Sequence, residues 1–231
     1  MELNKIYHGD CLEIMKDIPD KSIDLVVTDP PYLMNYKTGR RKYDHRFNDV
    51  ILGDNDEELI KDYIKECHRI LKENTAMYIF CSIHKIDLFK QELEKKFIIR
   101  NMIIWVKNNH TAGDLESSFG RKYEVLFLVN KGRKKFNGKR LTDIWEFDRV
   151  AGNEQRHQNQ KPLELIERCI KKHSKEGDLI FDGFMGSGTT AIACHRLNRN
   201  FIGAELDEEY HNLATERYER EKAQTNIFEF I

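Results

Sequence analysis

Apolar positions recur along this chain in two alternating patterns. Short β-branched runs, Ile6-Tyr7-His8, Ser22 to Thr28, Ala76 to Cys81, Phe97 to Val106 and Tyr123 to Val129, read as buried strands. Between them lie helical periods. Leu12, Ile14, Met15 and Ile18 predict a short helix ending before Pro19. Asp54 to Leu71 carries Ile60, Tyr63, Ile64, Cys67 and Leu71 on one face, and a further helix runs through Leu88 and Leu93 to Lys96. The second half repeats the pattern. Lys161 to Lys172 predicts a helix with Leu163, Ile166 and Ile170 inward and Pro162 in its first turn. Asp178 to Phe181 is a strand, a helix passes through Ile192 and Ala193, Asn200 to Ala204 is a strand, and Glu208 to Ala223 closes the chain as a helix. This alternation predicts an α/β fold with a mainly parallel, doubly wound sheet.

Two stretches lack a clear period. Leu33 to Gly53 reads as a long loop bearing Arg40, Arg41, Lys42, His45 and Arg46; such loops inside a compact domain are usually functional or disordered. Asn108 to Gln158 is weakly periodic and suggests a small insertion rather than a second core. Within it, Lys131, Arg133, Lys134, Lys135, Lys139 and Arg140 crowd around Phe136. A charge run is usually a solvated face. On a chain of formal net charge −1, however, these two clusters are the places where phosphates could be gripped.

Composition narrows the classes. At 231 residues, 40% hydrophobic and 33% charged, the chain suits one globular domain with a full core. Five scattered cysteines without paired spacing argue for reduced thiols in the cytoplasm, and the nine histidines form no zinc-type spacing with them. No signal-peptide core and no run of transmembrane length is present, so no membrane association is expected.

The candidate chemistry sits where strands end. Asp29-Pro30-Pro31-Tyr32 follows the Ser22–Thr28 strand. Two prolines make a stiff turn with free carbonyls, Asp29 adds a carboxylate, and Tyr32 adds a flat face. Together they suit a planar group bearing –NH2, although the four residues alone also fit an ordinary strand-ending turn. Asp10, at the first strand–helix junction, fits either a helix N-cap or a ligand contact. The strand ending at Phe181 runs into Asp182-Gly183-Phe184-Met185-Gly186-Ser187-Gly188-Thr189-Thr190, with the acid Glu205 ending the following strand about 20 residues on, the layout of a nucleotide-binding βαβ unit. Thr189 stands where a P-loop would carry lysine, which removes the triphosphate reading. The glycines run G-x-x-G-x-G, not the G-x-G-x-x-G of dinucleotide sites. An adenosine cofactor without phosphates, S-adenosylmethionine, fits better: Asp182 suits a sulfonium and Glu205 a ribose.

With both stretches in view, the sequence resembles the amino-directed DNA methyltransferases of the permuted β group, in which the catalytic D-P-P-Y precedes the cofactor-binding F-x-G-x-G. Asp29-Pro30-Pro31-Tyr32 and Phe184-Met185-Gly186-Ser187-Gly188 carry the resemblance. His157-Gln158-Asn159-Gln160-Lys161-Pro162 is similar to the family's H-P-T-Q-K-P, Gly9-Asp10-Cys11 to its adenine-contacting element, and Trp105-Val106-Lys107-Asn108-Asn109 to a segment after the central strands. Gly183 departs from the proline of the usual D-P-F-x-G-S-G-T, and Gln158-Asn159 from Pro-Thr.

The resemblance implies one Rossmann-like methyltransferase domain over 1–231, with a catalytic half over about 1–130, a cofactor half over about 157–231, and a target-recognition insertion over about 131–153. It implies S-adenosylmethionine as cofactor, double-stranded DNA as partner and the N6 amine of a flipped adenine as methyl acceptor. Cytosine-N4 methylation, or a DNA-binding protein of this fold without catalysis, are the alternatives. Asp29, Pro30, Pro31 and Tyr32 are the implied catalytic residues. The implied cofactor residues are Asp10, Cys11, Asp29, Gln160, Lys161, Asp182, Gly183, Phe184, Gly186, Ser187, Gly188, Thr189 and Glu205. Arg40, Arg41, Lys42, Arg133, Lys134, Lys135, Lys139 and Arg140 are expected on DNA. No metal is expected. Members of the group often dimerise, which makes a homodimer an expectation without a sequence-defined interface.

Overall fold

The computed structural model describes residues 1–32, 56–110, 116–150 and 160–228. Arg40, Arg41, Lys42 and His157-Gln158-Asn159 lie outside the described residues. The elements follow in order: β1 (Lys5–His8), α1 (Cys11–Lys16), β2 (Ile23–Thr28), α2 (Glu57–Ile70), β3 (Leu71–Cys81), α3 (Ile86–Glu94), β4 (Ile98–Val106), β5 (Tyr123–Lys131), β6 (Ile144–Glu146), α4 (Leu163–His173), β7 (Leu179–Asp182), α5 (Thr189–Arg196), β8 (Asn200–Glu205) and α6 (Glu208–Phe228).

The eight strands form one sheet in the order β1-β8-β7-β2-β3-β5-β4-β6. Five neighbour pairs are parallel and two, β3–β5 and β5–β4, are antiparallel. Continuous apolar runs such as Leu25-Val26-Val27 arise because both faces are covered. Val26, Met77 and Phe181 pack with Met15, Ile60 and Tyr63 on one side. Leu25, Val27, Tyr78 and Phe80 pack with Ile166, Cys169 and Phe201 on the other. All five cysteines are free and buried. No helix among the described residues is long and apolar enough to cross a membrane.

Most expected elements appear within a few residues of their sequence limits. The pattern predicts a mainly parallel sheet but does not locate the exception, which is β5: it returns antiparallel between β3 and β4, with Thr75 opposite Lys131 and Cys81 opposite Val125. The sequence also missed β6, whose three residues are too few to show a period. It pairs with β4 through Ile104–Ile144 to Val106–Glu146, and Trp145 is buried against the Tyr78 ring, 6.3 Å between centroids. Part of the 131–153 segment is therefore sheet.

Candidate active site

The carboxyl ends of the parallel strands gather the chemistry-bearing residues at one pole. Asp29 continues directly from β2, the glycine-rich loop from β7, Glu205 ends β8, and Asp10 follows β1. Because β2 pairs with β7 through Leu25–Ile180 and Val26–Phe181, Asp29 and the loop leave the sheet side by side, about 5 Å apart at the strand level.

Asp29 is held on one side only. Its Oδ2 accepts from the Lys161 ammonium, while Oδ1 is buried and has no hydrogen-bond partner among the described residues. Lys161 also donates to the Tyr32 hydroxyl at 3.0 Å and lies 3.3 Å from Glu124 Oε2. Tyr32 donates in turn to Glu124 Oε2 at 3.2 Å, and Lys107 donates to Glu124 Oε1 at 3.0 Å. The result is a row of alternating charges, Asp29–Lys161–Glu124–Lys107, with Lys161 Nζ 4.9 Å from the Phe80 ring centroid. Burial pushes the Asp29 carboxyl up against the pull of Lys161. Burial also works against the Lys161 charge, but Asp29 and Glu124 outweigh it and hold that ammonium above its usual range. For Glu124, Lys161 and Lys107 overcome burial and hold the carboxyl down. In a low-dielectric site each charge needs its neighbour. A carboxylate oxygen left open in such a row costs free energy unless a ligand N–H completes it.

The second cluster is the loop after β7. Asp182 Oδ1 accepts from the Phe184 N–H at 3.1 Å and Oδ2 from the Thr190 hydroxyl at 2.7 Å, so both oxygens shape the loop; burial pushes this carboxyl up to about 7. Gly188 caps α5 at φ +82°, a conformation that favours glycine, and a Cβ there would lie 3.1 Å from Ala214 Cα. The Ser187 carbonyl accepts from Arg217. Glu205 accepts from the Gly186 N–H at 2.6 Å and from the Asp207 N–H at 3.0 Å, and burial raises its pKa. A glycine-lined loop gripped by a half-buried glutamate matches what an adenosyl group needs: close backbone approach, and a carboxylate for two ribose hydroxyls.

Tyr63, which the pattern reads as one apolar position of α2, ties the two clusters together. Its hydroxyl donates to Thr28 Oγ1 at 2.8 Å, one residue before Asp29, and accepts from the Gly183 N–H at 3.2 Å. Phe184 meets the Tyr63 ring edge-on at 4.8 Å. A Cβ on residue 183 would fall 2.5 Å from Tyr63 Cε2, which explains glycine there in place of proline.

Other expected site residues have plainer places. Asp10 caps α1, its Oδ1 accepting from the Leu12 N–H at 2.7 Å, and it remains exposed beside the Gly9 N–H bond to the Glu205 carbonyl. The Cys11 side chain belongs to the core, and burial pushes its thiol up to about 12. Gln160 is half-buried immediately before Lys161, and Thr189 is buried in the first turn of α5.

The basic cluster needs correcting. Lys131 is buried and donates to the His68 and Leu71 carbonyls at 2.7 and 2.8 Å, so it cannot grip phosphate. Arg133 donates its N–H to Asn74 Oδ1, Asn137 docks on the end of α4 through the Lys171 and Ser174 carbonyls, and the Lys139 carbonyl accepts from Lys172. Since β5 runs antiparallel to β3, Arg133, Lys134 and Lys135, which follow Lys131 opposite Thr75, leave the sheet at the opposite pole, and Lys139 lies against the end of α4. Asp29 follows Thr28, opposite Ile79, so the end of β5 at Lys131 is about 17 Å along the sheet from it. The basic residues beside the site come instead from the ends of β4, β5 and β6. Lys122 receives the Lys107 N–H, Arg121 precedes it, and the Arg149 N–H donates to Asn108 Oδ1 at 3.4 Å. Phe119, on the same approach to β5, is fully exposed.

Glu124 and Tyr63 were both missed from sequence. Glu124 carried a signal: it is the one charged residue in the apolar run Tyr123 to Val129. Tyr63 carried none, since an aromatic on a helix's apolar face is ordinarily core.

Comparison with known proteins gives the family. Residues 23–216 match the family model described as DNA methylase. The type II methyltransferase M.HinfI of Haemophilus influenzae is 32% identical over 99% of the chain and 72% of its own length. The DNA adenine methyltransferase YhdJ of Escherichia coli K12 is 28% identical over 94% of the chain and 83% of its own. Among solved structures, the M1.HpyAVI–SAM complex superposes with a TM-score of 0.72 at 31% identity, covering 92% of this chain and 98% of that one.

Proposed function

The chain belongs to the DNA methylase family and is an S-adenosylmethionine-dependent DNA methyltransferase, and from that premise we propose that it methylates the N6 amine of adenine flipped out of a DNA duplex. The observation that carries this reading is Asp29 Oδ1, a buried acceptor without a partner among the described residues. An exocyclic amine is a poor nucleophile because its lone pair is delocalised into the ring. Asp29 Oδ1 and the Pro30 carbonyl accept its two N–H groups and draw the lone pair out of the ring plane. Lys161 holds Asp29 Oδ2, so only one carboxylate oxygen faces the amine. Tyr32, anchored through its hydroxyl, offers its ring to the base.

When bound, S-adenosylmethionine would supply a sulfonium methyl for transfer to the amine, the carbon–sulfur electron pair staying with sulfur. Glu205 and the Gly186–Gly188 backbone hold the adenosyl group, with Asp182 fixing the loop. Acceleration comes from positioning and from dipoles already aimed at the reacting atoms.

Adenine is favoured by the aspartate of D-P-P-Y and by the likeness to YhdJ, a DNA adenine methyltransferase. The order of Asp29 ahead of the glycine loop supports the permuted β group. Likeness to type II enzymes supports a cytoplasmic role in restriction-modification. Arg121, Lys122 and Arg149 are the phosphate contacts this reading favours, and Phe119 stands ready to meet a duplex beside the flipped base. Incubating the protein with S-adenosylmethionine and unmethylated genomic DNA, then mapping modified bases, tests the reading. N6-methyladenine in a defined sequence supports it, and N4-methylcytosine alone overturns the choice of base.

A further inference from the structure

Glu124 bonds to Tyr32, Lys161 and Lys107, and it is linked to the active carboxylate through Lys161. Lys161 precedes α4 and bridges two carboxylates: Asp29 from the end of β2, and Glu124 at 3.3 Å from β5. Glu124 is fixed from its far side by Lys107, just after β4, at 3.0 Å and by the Tyr32 hydroxyl at 3.2 Å. The groups facing Asp29 are therefore Lys161, Tyr32 and Glu124, with the Cys81 thiol of β3 and the Asp182 carboxyl of β7 nearby and Lys107 one step beyond.

This row has a consequence for the proton that methyl transfer must release. Once the N–C bond has formed, the amine nitrogen is cationic. An N–H bond then breaks, its electron pair stays on nitrogen, and the proton forms an O–H bond on Asp29 Oδ1. Asp29 becomes neutral, and returns the proton to solvent as the product leaves. If Asp29 were the only carboxylate beside Lys161, that step would strip a buried ammonium of its counter-charge, which is strongly unfavourable.

We propose that Glu124 is a positioning residue that keeps Lys161 compensated while Asp29 carries the proton, so that the acceptor can alternate between ionised and neutral forms. The proposal rests on the reading of Asp29 as the amine acceptor. Glu124 also adds a negative charge near Asp29, which disfavours a permanently ionised Asp29, whereas Lys107 acts in the opposite sense.

The test is the pH dependence of single-turnover methyl transfer on a duplex carrying the mapped recognition sequence. Glu124→Gln keeps the shape and an oxygen acceptor. It should slow transfer at neutral pH on the order of tenfold or more, with the acid limb moved to lower pH and the calorimetric affinity for S-adenosylmethionine unchanged. Glu124→Asp, which keeps the charge, should recover most of the rate. Lys107→Gln should move the acid limb to higher pH, a second reading that survives if Glu124→Gln folds poorly. A uniform loss at every pH, or equal defects in Glu124→Gln and Glu124→Asp, would overturn the proposal and leave Glu124 a packing residue. Asp29→Asn separates the two readings: full turnover in that variant removes Asp29 as acceptor, whereas inactivity with a normal Glu124→Gln profile removes only Glu124.

Discussion

Restoring proline at position 183, the residue usual in relatives' D-P-F, should damage this protein. Gly183→Pro removes the N–H that donates to the Tyr63 hydroxyl and sets a Cβ 2.5 Å from Tyr63 Cε2 and 2.8 Å from its hydroxyl. The lost hydrogen bond costs about 1 kcal/mol. Overpacking a buried site adds about 1–3 kcal/mol, for a total of roughly 2–4 kcal/mol. In a domain of this size each kcal/mol lowers the melting temperature by about 2–4 °C, so a fall of roughly 4–16 °C is expected in a thermal melt. Gly183→Ala keeps the N–H and should lose only the overlap contribution. Because the clash is with one ring, Tyr63→Leu combined with Gly183→Pro should destabilise less than the sum of the single changes, by about 0.5–3 kcal/mol of coupling. A Gly183→Pro protein melting within a degree of the parent, or strictly additive double-variant energies, would refute the claim that Tyr63 dictates glycine here.

Two further changes probe the loop. Glu205→Ala removes the acceptor of the Gly186 N–H and the carboxylate assigned to the ribose, and should weaken S-adenosylmethionine binding by about 1–3 kcal/mol, measured by calorimetry. Asp182 has a folded pKa of about 7 against an ordinary 3.8, so the folded state binds the extra proton. Its contribution to stability is therefore greatest below the ordinary value and is lost as pH rises through about 7. Asp182→Asn stays neutral at every pH, can still accept from the Phe184 N–H and can donate to the Thr190 hydroxyl. Its melting temperature should fall less than the parent's between about pH 5 and 8 by scanning calorimetry.

Much of the architecture was legible because local pattern and burial agree. Apolar runs covered on both faces marked β2, β3 and β7, and the helix periods marked α2 and α4. The Asp29 and Asp182–Thr190 segments were legible because each combines stiff or glycine backbone with a carboxylate at a strand end. What stayed hidden depends on pairing between distant strands. Nothing local in Tyr123 to Lys131 encodes that β5 runs backwards, and that one reversal sends Arg133, Lys134 and Lys135 to the far pole while bringing Glu124 to Lys161. Tyr63 was hidden for a different reason: its ring does belong to the core, and only the hydroxyl at its tip reaches Thr28 and Gly183.

Whether Asp29 receives the amine that is methylated is decided by one paired assay. Parent protein and Asp29→Ala are each incubated with labelled S-adenosylmethionine and unmethylated DNA, with cofactor affinity measured on the same samples. Lys161 retains Glu124 in the variant, so the fold and cofactor site should persist. The parent should yield N6-methyladenine, and Asp29→Ala should reduce methyl transfer at least a thousandfold, about 4 kcal/mol of transition-state stabilisation, at nearly unchanged cofactor affinity. Near-parental methylation by Asp29→Ala would contradict that role for Asp29.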